Sequence, residues 1–391
     1  MRGEELSSIE SLKTFHNLSL MTKPIVVITG ASGFIGSAVC VDLVKDFMVI
    51  SIDSREPTEQ LRRAAPQAIW YIIDIADNQA ISKLFAQTKS DFGRIDFVIH
   101  LAAYYDFGTD WVPEYQRTNV DGTAKVIDAS INEGVKRLIF ASSIAAMEPP
   151  AIGTYLTEES PTSEFLPYAR SKTLGERLLT EASSQLPCNI LRIAGVFSDW
   201  CELPPLYGLI KLWTSAFPFG CIIPGRGESG IPYIHINDLV HLLRKCILQN
   251  HELGPFNIFL ASQHGAVLHR QLFPAIRSAD AYSGSLRSIH LPRKIAKFGA
   301  WFRYALGGIS GNRPYERPWM LEYVDKPWNT DTSNTRRILD WDCTPELGLL
   351  RKIPDIQNNL KTDPKGWKER NISRNERSYS YSESLKEDAI T

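Results

Sequence analysis

Three glycines spaced three apart, Gly30, Gly33 and Gly36, follow directly on the β-branched run Ile25-Val26-Val27-Ile28, and this junction constrains the fold more than any other feature of the chain. The run has the composition of a strand buried on both faces. Beyond the glycines, Ala38-Val39-Cys40-Val41 and Leu43-Val44 read as a helix that buries much of its surface. A strand, a tight turn and a helix start together make an anion site, because unpaired N–H groups and the positive end of the helix dipole face a phosphate. Glycine lets the backbone turn sharply and approach a pyrophosphate with no Cβ in the way. The loop Thr29-Gly30-Ala31-Ser32-Gly33-Phe34-Ile35-Gly36 has one residue more in its first gap than G-x-G-x-x-G, so its surroundings must decide what it holds.

Those surroundings point to a dinucleotide. A second apolar strand, Met48 to Ile52, ends at Asp53, about where an acidic residue grips the adenosine ribose hydroxyls. The Asp53 carboxylate would repel a 2′-phosphate, which favours NAD; Arg55, two residues on, leaves NADP open. Trp70-Tyr71-Ile72-Ile73-Asp74 reads as a third strand ending in a carboxylate suited to the adenine amino group. Asp96 to Ala103 reads as a fourth, whose small Ala102 and Ala103 let the chain pass close under a cofactor. Val135 to Ser143 reads as a fifth, ending in two serines. Helical stretches such as Thr118 to Glu133 separate them. This alternation predicts an α/β fold, a Rossmann-type doubly wound parallel sheet covered on both faces. Ligands then sit at the carboxyl ends of the strands, where Gly30, Asp53, Asp74, Ala102 and Ser143 all fall.

A proton-transfer pair lies further along. Tyr168 and Lys172 are four residues apart, and the stretch from Tyr168 to Glu181 is a helix candidate free of proline and preceded by Pro167. On a helix the two share a face. A free tyrosine, with a pKa near 10, is a poor base at neutral pH. A neighbouring ammonium lowers that value by about 1–3 units, toward the range of general acid–base catalysis.

Taken together these pieces resemble the extended short-chain dehydrogenase/reductase family, which includes nucleotide-sugar epimerases, dehydratases and 3β-hydroxysteroid dehydrogenases. The matching stretches run from Lys23 to about Lys361: T-G-A-S-G-F-I-G at 29–36, D-I at 74–75, H-L-A-A at 100–103, T-N-V-D-G-T at 118–123, F-A-S-S at 140–143, Y-A-R-S-K at 168–172 and Y-I-H-I-N-D-L-V at 233–240. The resemblance implies that Tyr168 is the general acid/base, that Lys172 tunes it and holds the nicotinamide ribose, and that Ser143, twenty-five positions before the tyrosine, polarises the substrate oxygen. It assigns cofactor binding to Gly30, Ser32, Gly33, Phe34, Ile35, Gly36, Asp53, Arg55, Asp74, Ile75, Leu101, Ala102, Ala103, Tyr168 and Lys172, with Asn119 shaping the site.

Departures bear on the reaction. Sugar dehydratases of the family carry Asp-Glu just after the catalytic hydroxyl residue, whereas Ile144-Ala145 follow Ser143 here. Epimerases commonly have a Val-Tyr-Gly-like stretch where this chain reads Ala146-Met147-Glu148. Leu191-Arg192-Ile193 replaces the usual Leu-Arg-Pro, and Ser198 stands where glycine is usual. These favour simple alcohol/carbonyl oxidoreduction. A nucleotide-sugar epimerase and a non-catalytic nicotinamide-binding regulatory protein are the alternatives.

The domain expectation is a dinucleotide-binding domain over 23–197, continued by 233–262, with a smaller discontinuous substrate lobe over 198–232 and 263–334. A C-terminal helical region over 335–362 follows, then a polar, disordered tail over 363–391 that includes Ser378, Ser380, Ser382 and Ser384. Leu206 to Ile223 is nearly all apolar, yet Lys211 and Pro218 favour a buried lobe helix and loop over a membrane span. His290 to Leu306 is a basic amphipathic helix candidate with Leu291, Ile295, Phe298, Phe302 and Leu306 in one stripe; packing on the core is preferred to lying on a membrane. Trp213, Phe217, Phe219, Trp301, Phe302 and Trp319 make the lobe aromatic and favour a small apolar substrate, while Arg226, Arg313 and Arg317 leave a phosphorylated one open.

Residues 1–22 carry Glu4, Glu5 and Glu10 and no long apolar core, unlike a signal or transit peptide, and Met21 is a natural start for the folded part. The six cysteines have no paired spacing, which fits a reduced cytoplasmic interior and offers no metal site. A net charge of −1 leaves no footprint for nucleic acid. A homodimer is left open.

Overall fold

In the computed structural model, which describes residues 23–106, 108–215, 219–279, 287–299, 301 and 318–371, the apolar run is strand β1 (Ile25–Thr29), buried along its whole length. The glycine turn leads into helix α1 (Phe34–Leu43) and then strand β2 (Met48–Asp53). Helix α2 (Glu59–Ala64), strand β3 (Ile69–Ile72), helix α3 (Asn78–Phe92) and strand β4 (Phe97–His100) continue the alternation. A π-helical segment, Tyr115–Gly122, runs into helix α4 (Thr123–Asn132), ahead of strand β5 (Arg137–Ser143) and helix α5 (Pro167–Ala182). With β6 (Cys188–Ile193) and β7 (Phe256–Ala261) the seven strands form one sheet in the order β7-β6-β5-β4-β1-β2-β3.

Parallel pairing aligns the strand ends that matter. Thr29 sits opposite Ile52 on one side and His100 on the other, and His100 opposite Phe140. The chain leaves β1 for β2 on one side and returns to β4 on the other, so the strand order switches beside β1, where the glycine turn lies.

By packing, the described chain divides into two units, 23–142 with 164–191 and 240–258, and 143–163 with 192–239 and 259–371. The first packs around the sheet: Val27, Ile50 and Val98 lie against Phe85 from α3, Val126 from α4 and Leu179 from α5. The second packs Phe197, Ile210, Trp213, Tyr233, Leu272, Ile353 and Ile356 around one another.

This partition differs from the boundaries read in the sequence. The segment 143–163 belongs to the second unit because Leu156 exchanges backbone bonds with Asn329 and Asp331, and the Glu158 carboxylate accepts from the Thr335 N–H and hydroxyl. Nothing local in the sequence announces such distant pairs. Residues 364–371, expected to begin the polar tail, are helical, with Trp367 buried and stacked on Tyr207 at 5.0 Å. Asn371 accepts from the Glu202 N–H and donates to the Trp200 carbonyl, holding a turn in which Cys201 and Glu202 both have positive φ. Residues 1–22, with their acidic residues, and the serines of 372–391 lie outside the described residues.

The apolar stretch Leu206 to Ile223 becomes a helix, Pro204–Trp213, burying Leu206, Ile210 and Trp213, and a short strand, Ile222–Pro224. No described helix is long and apolar enough to cross a membrane. The basic helix candidate is helical over 293–299, but Ala296 is its buried residue, while Ile295 and Phe298 are 57% and 69% exposed. Its expected stripe therefore does not form the packed face; Phe302 and Leu306 lie outside the described residues. Five of the six cysteines are buried, and burial pushes the Cys40, Cys201 and Cys246 thiols up to about 12.

Candidate active site

The glycine turn is held by contacts that only glycine allows. Gly30 has φ +72°, and a Cβ there would stand 2.7 Å from the Ala102 backbone nitrogen. Gly30 and Ala102, 72 positions apart in sequence, thus touch at the carboxyl ends of β1 and β4. The Thr29 hydroxyl reinforces the junction by accepting from the Ala102 N–H at 3.3 Å. Strand β4 ends at His100, earlier than the sequence suggests: the Leu101 N–H still reaches the Thr29 carbonyl, but the Ala102 N–H turns to the Thr29 hydroxyl and the chain leaves the sheet. Leu101, Ala102 and Ala103 are half-buried along this exit.

Helix α1 starts behind Gly33, which has no capping side chain, and no acidic residue occupies its first turn. Its positive end therefore meets no competing carboxylate of its own, as an anion site needs. Ser32 and Asp53 close the turn: one Asp53 oxygen accepts from the Ser32 N–H at 2.9 Å, the other from the Arg55 N–H at 3.0 Å. Arg55 Nε adds a bond at 3.3 Å to that second oxygen, while its side chain stays 54% exposed. Asp53 is thus fixed as a buried acceptor at the end of β2. Phe34, Ile35 and Gly36 form the first turn of α1. The set fits a dinucleotide: backbone and helix end for the pyrophosphate, a fixed carboxylate for a ribose.

Asp74 divides its oxygens between the Ala76 N–H, at 2.9 Å, and the Arg117 guanidinium. Burial works against its charge, but the Ala76 N–H, Arg117 and Lys125 outweigh it and hold the carboxyl below its ordinary value. Ile75 is buried under Gly122 of the π-helical segment. Asn119, on that segment, accepts from the Tyr104 N–H at 2.6 Å and donates to the Tyr104 carbonyl and the Ser171 hydroxyl, both at 2.9 Å. It thereby braces the chain leaving β4 against α5.

Helix α5 carries Tyr168 and Lys172 one turn apart, with Pro167 at its start. Lys172 is 4% exposed; its Nζ donates to the Ala141 carbonyl at 2.7 Å and lies 5.9 Å from the centre of the Tyr168 ring. Burial lowers this ammonium to about 8, partly offset by Glu176. Ser143 ends β5, half-buried, and its Oγ accepts from the Ala145 N–H at 3.1 Å.

Four groups that sequence reading passed over lie around these residues within the first unit. Tyr105 meets the Tyr168 ring edge-on at 4.5 Å. His100 is fully buried between the Thr29 hydroxyl at 2.6 Å and the Thr123 hydroxyl at 2.9 Å, and burial, with Lys172 nearby, lowers it to about 3. It is a neutral spacer. Ser142 donates to Glu176 at 2.5 Å. The histidine stood inside H-L-A-A and was legible there; the other contacts join segments too distant for any local pattern.

Of the aromatic residues read as a sign of an apolar substrate, Trp213 finds a plainer role. Trp213 is fully buried in the second unit's core, its indole N–H bonded to the Ile222 carbonyl at 3.0 Å. Phe219 and Trp301 are 60% and 58% exposed. Arg226 is an exposed partner of Asp325. Phe217, Arg313, Arg317 and the Trp319 side chain lie outside the described residues.

The chain matches the family model described as the NAD dependent epimerase/dehydratase family over residues 26–259. It is 30% identical over 267 residues to a UDP-glucose 4-epimerase of Lactobacillus helveticus, covering 61% of this chain and 77% of the relative. It is 31% identical over 275 residues to a dTDP-D-glucose 4,6-dehydratase of Mus musculus, covering 66% and 74%. The chain spans about half the length of several other curated relatives that it matches. Among solved structures, the UDP-glucose 4-epimerase of Thermotoga maritima with UDP-glucose superposes with a TM-score of 0.65 at 19% identity, covering 87% of this chain and 100% of that one.

Proposed function

We propose, from the premise that this chain belongs to the NAD dependent epimerase/dehydratase family and is an NAD-dependent enzyme of the extended short-chain type, that it inverts a hydroxyl-bearing carbon of a sugar nucleotide with no net redox change. The observation that carries the chemistry is the Tyr168–Lys172 pair, an enclosed ammonium one helical turn from a half-exposed phenol. NAD, when bound, supplies the hydride acceptor and donor. The residues of the chain do the rest. Tyr168 takes the hydroxyl proton as the carbinol becomes a ketone and returns a proton as the opposite face is reduced. Lys172 keeps the phenol acidic enough to do so and holds the nicotinamide ribose. Ser143 donates to the substrate oxygen. Gly30, Ser32, Gly33, Phe34, Ile35 and Gly36 cradle the pyrophosphate, Asp53 and Arg55 the adenosine ribose, Asp74 and Ile75 the adenine, and Leu101, Ala102 and Ala103 the passage beneath the cofactor. Asn119 braces that passage.

Epimerisation is preferred to dehydration because no carboxylate follows Ser143: Ile144 is buried and Ala145 is an exposed methyl. It is preferred to net oxidation of an apolar substrate because Trp213 is spent on the core, and because relatives in two groups act on sugar nucleotides by name. Incubation with UDP- and dTDP-hexoses plus NAD, followed by proton NMR of the anomeric signals, tests this. The expected result is a mixture of two epimers without accumulating reduced cofactor, absent in Tyr168→Phe. A stoichiometric ketone with reduced cofactor would instead mark a dehydrogenase. Cofactor binding without turnover of any alcohol would mark the regulatory protein.

A further inference from the structure

Lys172 and Glu176 follow Tyr168 at successive turns of α5, and both side chains are enclosed, 4% and 6% exposed. Each side chain is tied to the last residues of β5. Lys172 donates to the Ala141 carbonyl at 2.7 Å, and Glu176 accepts from the Ser142 hydroxyl at 2.5 Å. Gly175 lets the helix approach closely enough for both bonds, since a Cβ there would strike the Phe140 ring. Helix and strand are therefore pinned in one register by a cation and an anion on adjacent turns. We propose that Glu176 is a positioning residue for the proton-transfer pair, setting a carboxylate one helical turn from the Lys172 ammonium and, through Ser142, fixing the end of β5 that carries Ser143.

The surroundings of Lys172 single this carboxylate out. From β5 the ammonium faces the Phe140 ring at 5.0 Å and the Ala141 carbonyl; from α5 it faces the Tyr168 ring. From β4 it is near His100, which is neutral above about pH 3 and supplies no counter-charge. Among the described residues, Glu176 is the anion that offsets the burial of the ammonium. An opposite charge within one helical turn in an enclosed site favours the charged form. Glu176 acts through Lys172 and is given no contact with substrate or cofactor.

The role of Lys172 in turnover rests on the function proposed above, but its ionisation does not, so the test reads both. Nitrogen-15 lysine NMR of the whole protein, with the Lys172 signal assigned by its loss in Lys172→Met, gives the ammonium's titration directly. In the unaltered protein it is expected near pH 8. Glu176→Gln, which retains an amide oxygen for Ser142, is expected to lower it by about one unit. The alkaline limb of the rate profile should move down equally, with KM for the sugar nucleotide little changed. Ser142→Ala, the milder variant, should move the titration in the same direction by less, and Glu176→Asp should restore part of it. An unmoved Lys172 titration in folded Glu176→Gln would overturn the proposal. A moved titration with no turnover on sugar nucleotides would uphold it and count against the functional reading instead.

Discussion

Gly175 lies against Phe140 so closely that a Cβ at 175 would stand 2.6 Å from the ring's Cζ. An exposed helix interior gains about 1 kcal/mol from Gly→Ala. Here the sign should reverse. Gly175→Ala has to displace either the ring or the helix, an overpacking cost of about 1–3 kcal/mol. Denaturant unfolding is expected to show net destabilisation, together with a fall in activity as Lys172 is moved from the Ala141 carbonyl. A stabilised variant would mean that α5 and β5 have room to spare.

His100 supplies one pH dependence of the first unit. Folded, it is neutral and lowered to about 3 by burial; unfolded, it takes up a proton near its ordinary 6.5. Between those values the unfolded chain binds the extra proton, so this contribution is fully present above pH 6.5 and is lost as pH falls toward 3. Urea midpoints measured across that window should decline steeply for the unaltered protein and less for His100→Gln, which is weaker at pH 8 but has no imidazole to protonate. Parallel declines would show that His100 makes no contribution to the pH dependence.

Trp367 and Asn371 make the helix at 364–371 part of the second unit. Trp367 is 3% exposed, and Arg370 adds a guanidinium 4.5 Å over the Trp200 ring. Trp367→Ala is expected to cost about 3–5 kcal/mol, the usual range for truncating a buried aromatic. Ending the chain after residue 363 should cost at least as much, because it also releases the Cys201–Glu202 turn. Calorimetry of the two variants checks this; an unchanged transition after truncation would make the helix dispensable.

Asp53 should set both affinity and choice of cofactor. Asp53→Asn removes the charge but keeps the shape, and is expected to weaken NAD by about 10- to 100-fold, the range for losing a charged hydrogen-bond partner. The same change should narrow the gap between NAD and NADP, since the repulsion of a 2′-phosphate goes with the charge. Titration calorimetry with each dinucleotide reads both effects. Equal affinities in the two proteins would place the ribose elsewhere.

What could be read from the sequence was local. The run Ile25 to Ile28 and its glycines specify a strand, a turn and a helix through composition and spacing within a dozen residues, and Tyr168 and Lys172 declare a shared face by being four apart. The family likeness rested on such short blocks, in order. What escaped was set by distance or by competition between roles. Ser142 and Glu176 meet across 34 positions. The strand expected to reach Ala103 stops at His100 because, once the Leu101 N–H has met the Thr29 carbonyl, the Ala102 N–H turns to the Thr29 side chain. Trp213 carries the same ring whether it lines a pocket or fills a core, and only the Ile222 carbonyl beside its N–H decides for the core. The polar composition after residue 363 concealed one buried tryptophan and one asparagine, which together dock a helix.

The hydrogen on the inverted carbon separates redox-neutral epimerisation from net oxidation. A sugar nucleotide deuterated at that carbon, incubated with the protein and NAD, should yield its epimer with the deuterium retained, because the hydride leaves and returns without exchanging with water. Tyr168→Phe should abolish the conversion while still binding NAD. Deuterium found instead in released, reduced cofactor, alongside a free ketone, would contradict redox-neutral epimerisation and make the protein a net dehydrogenase.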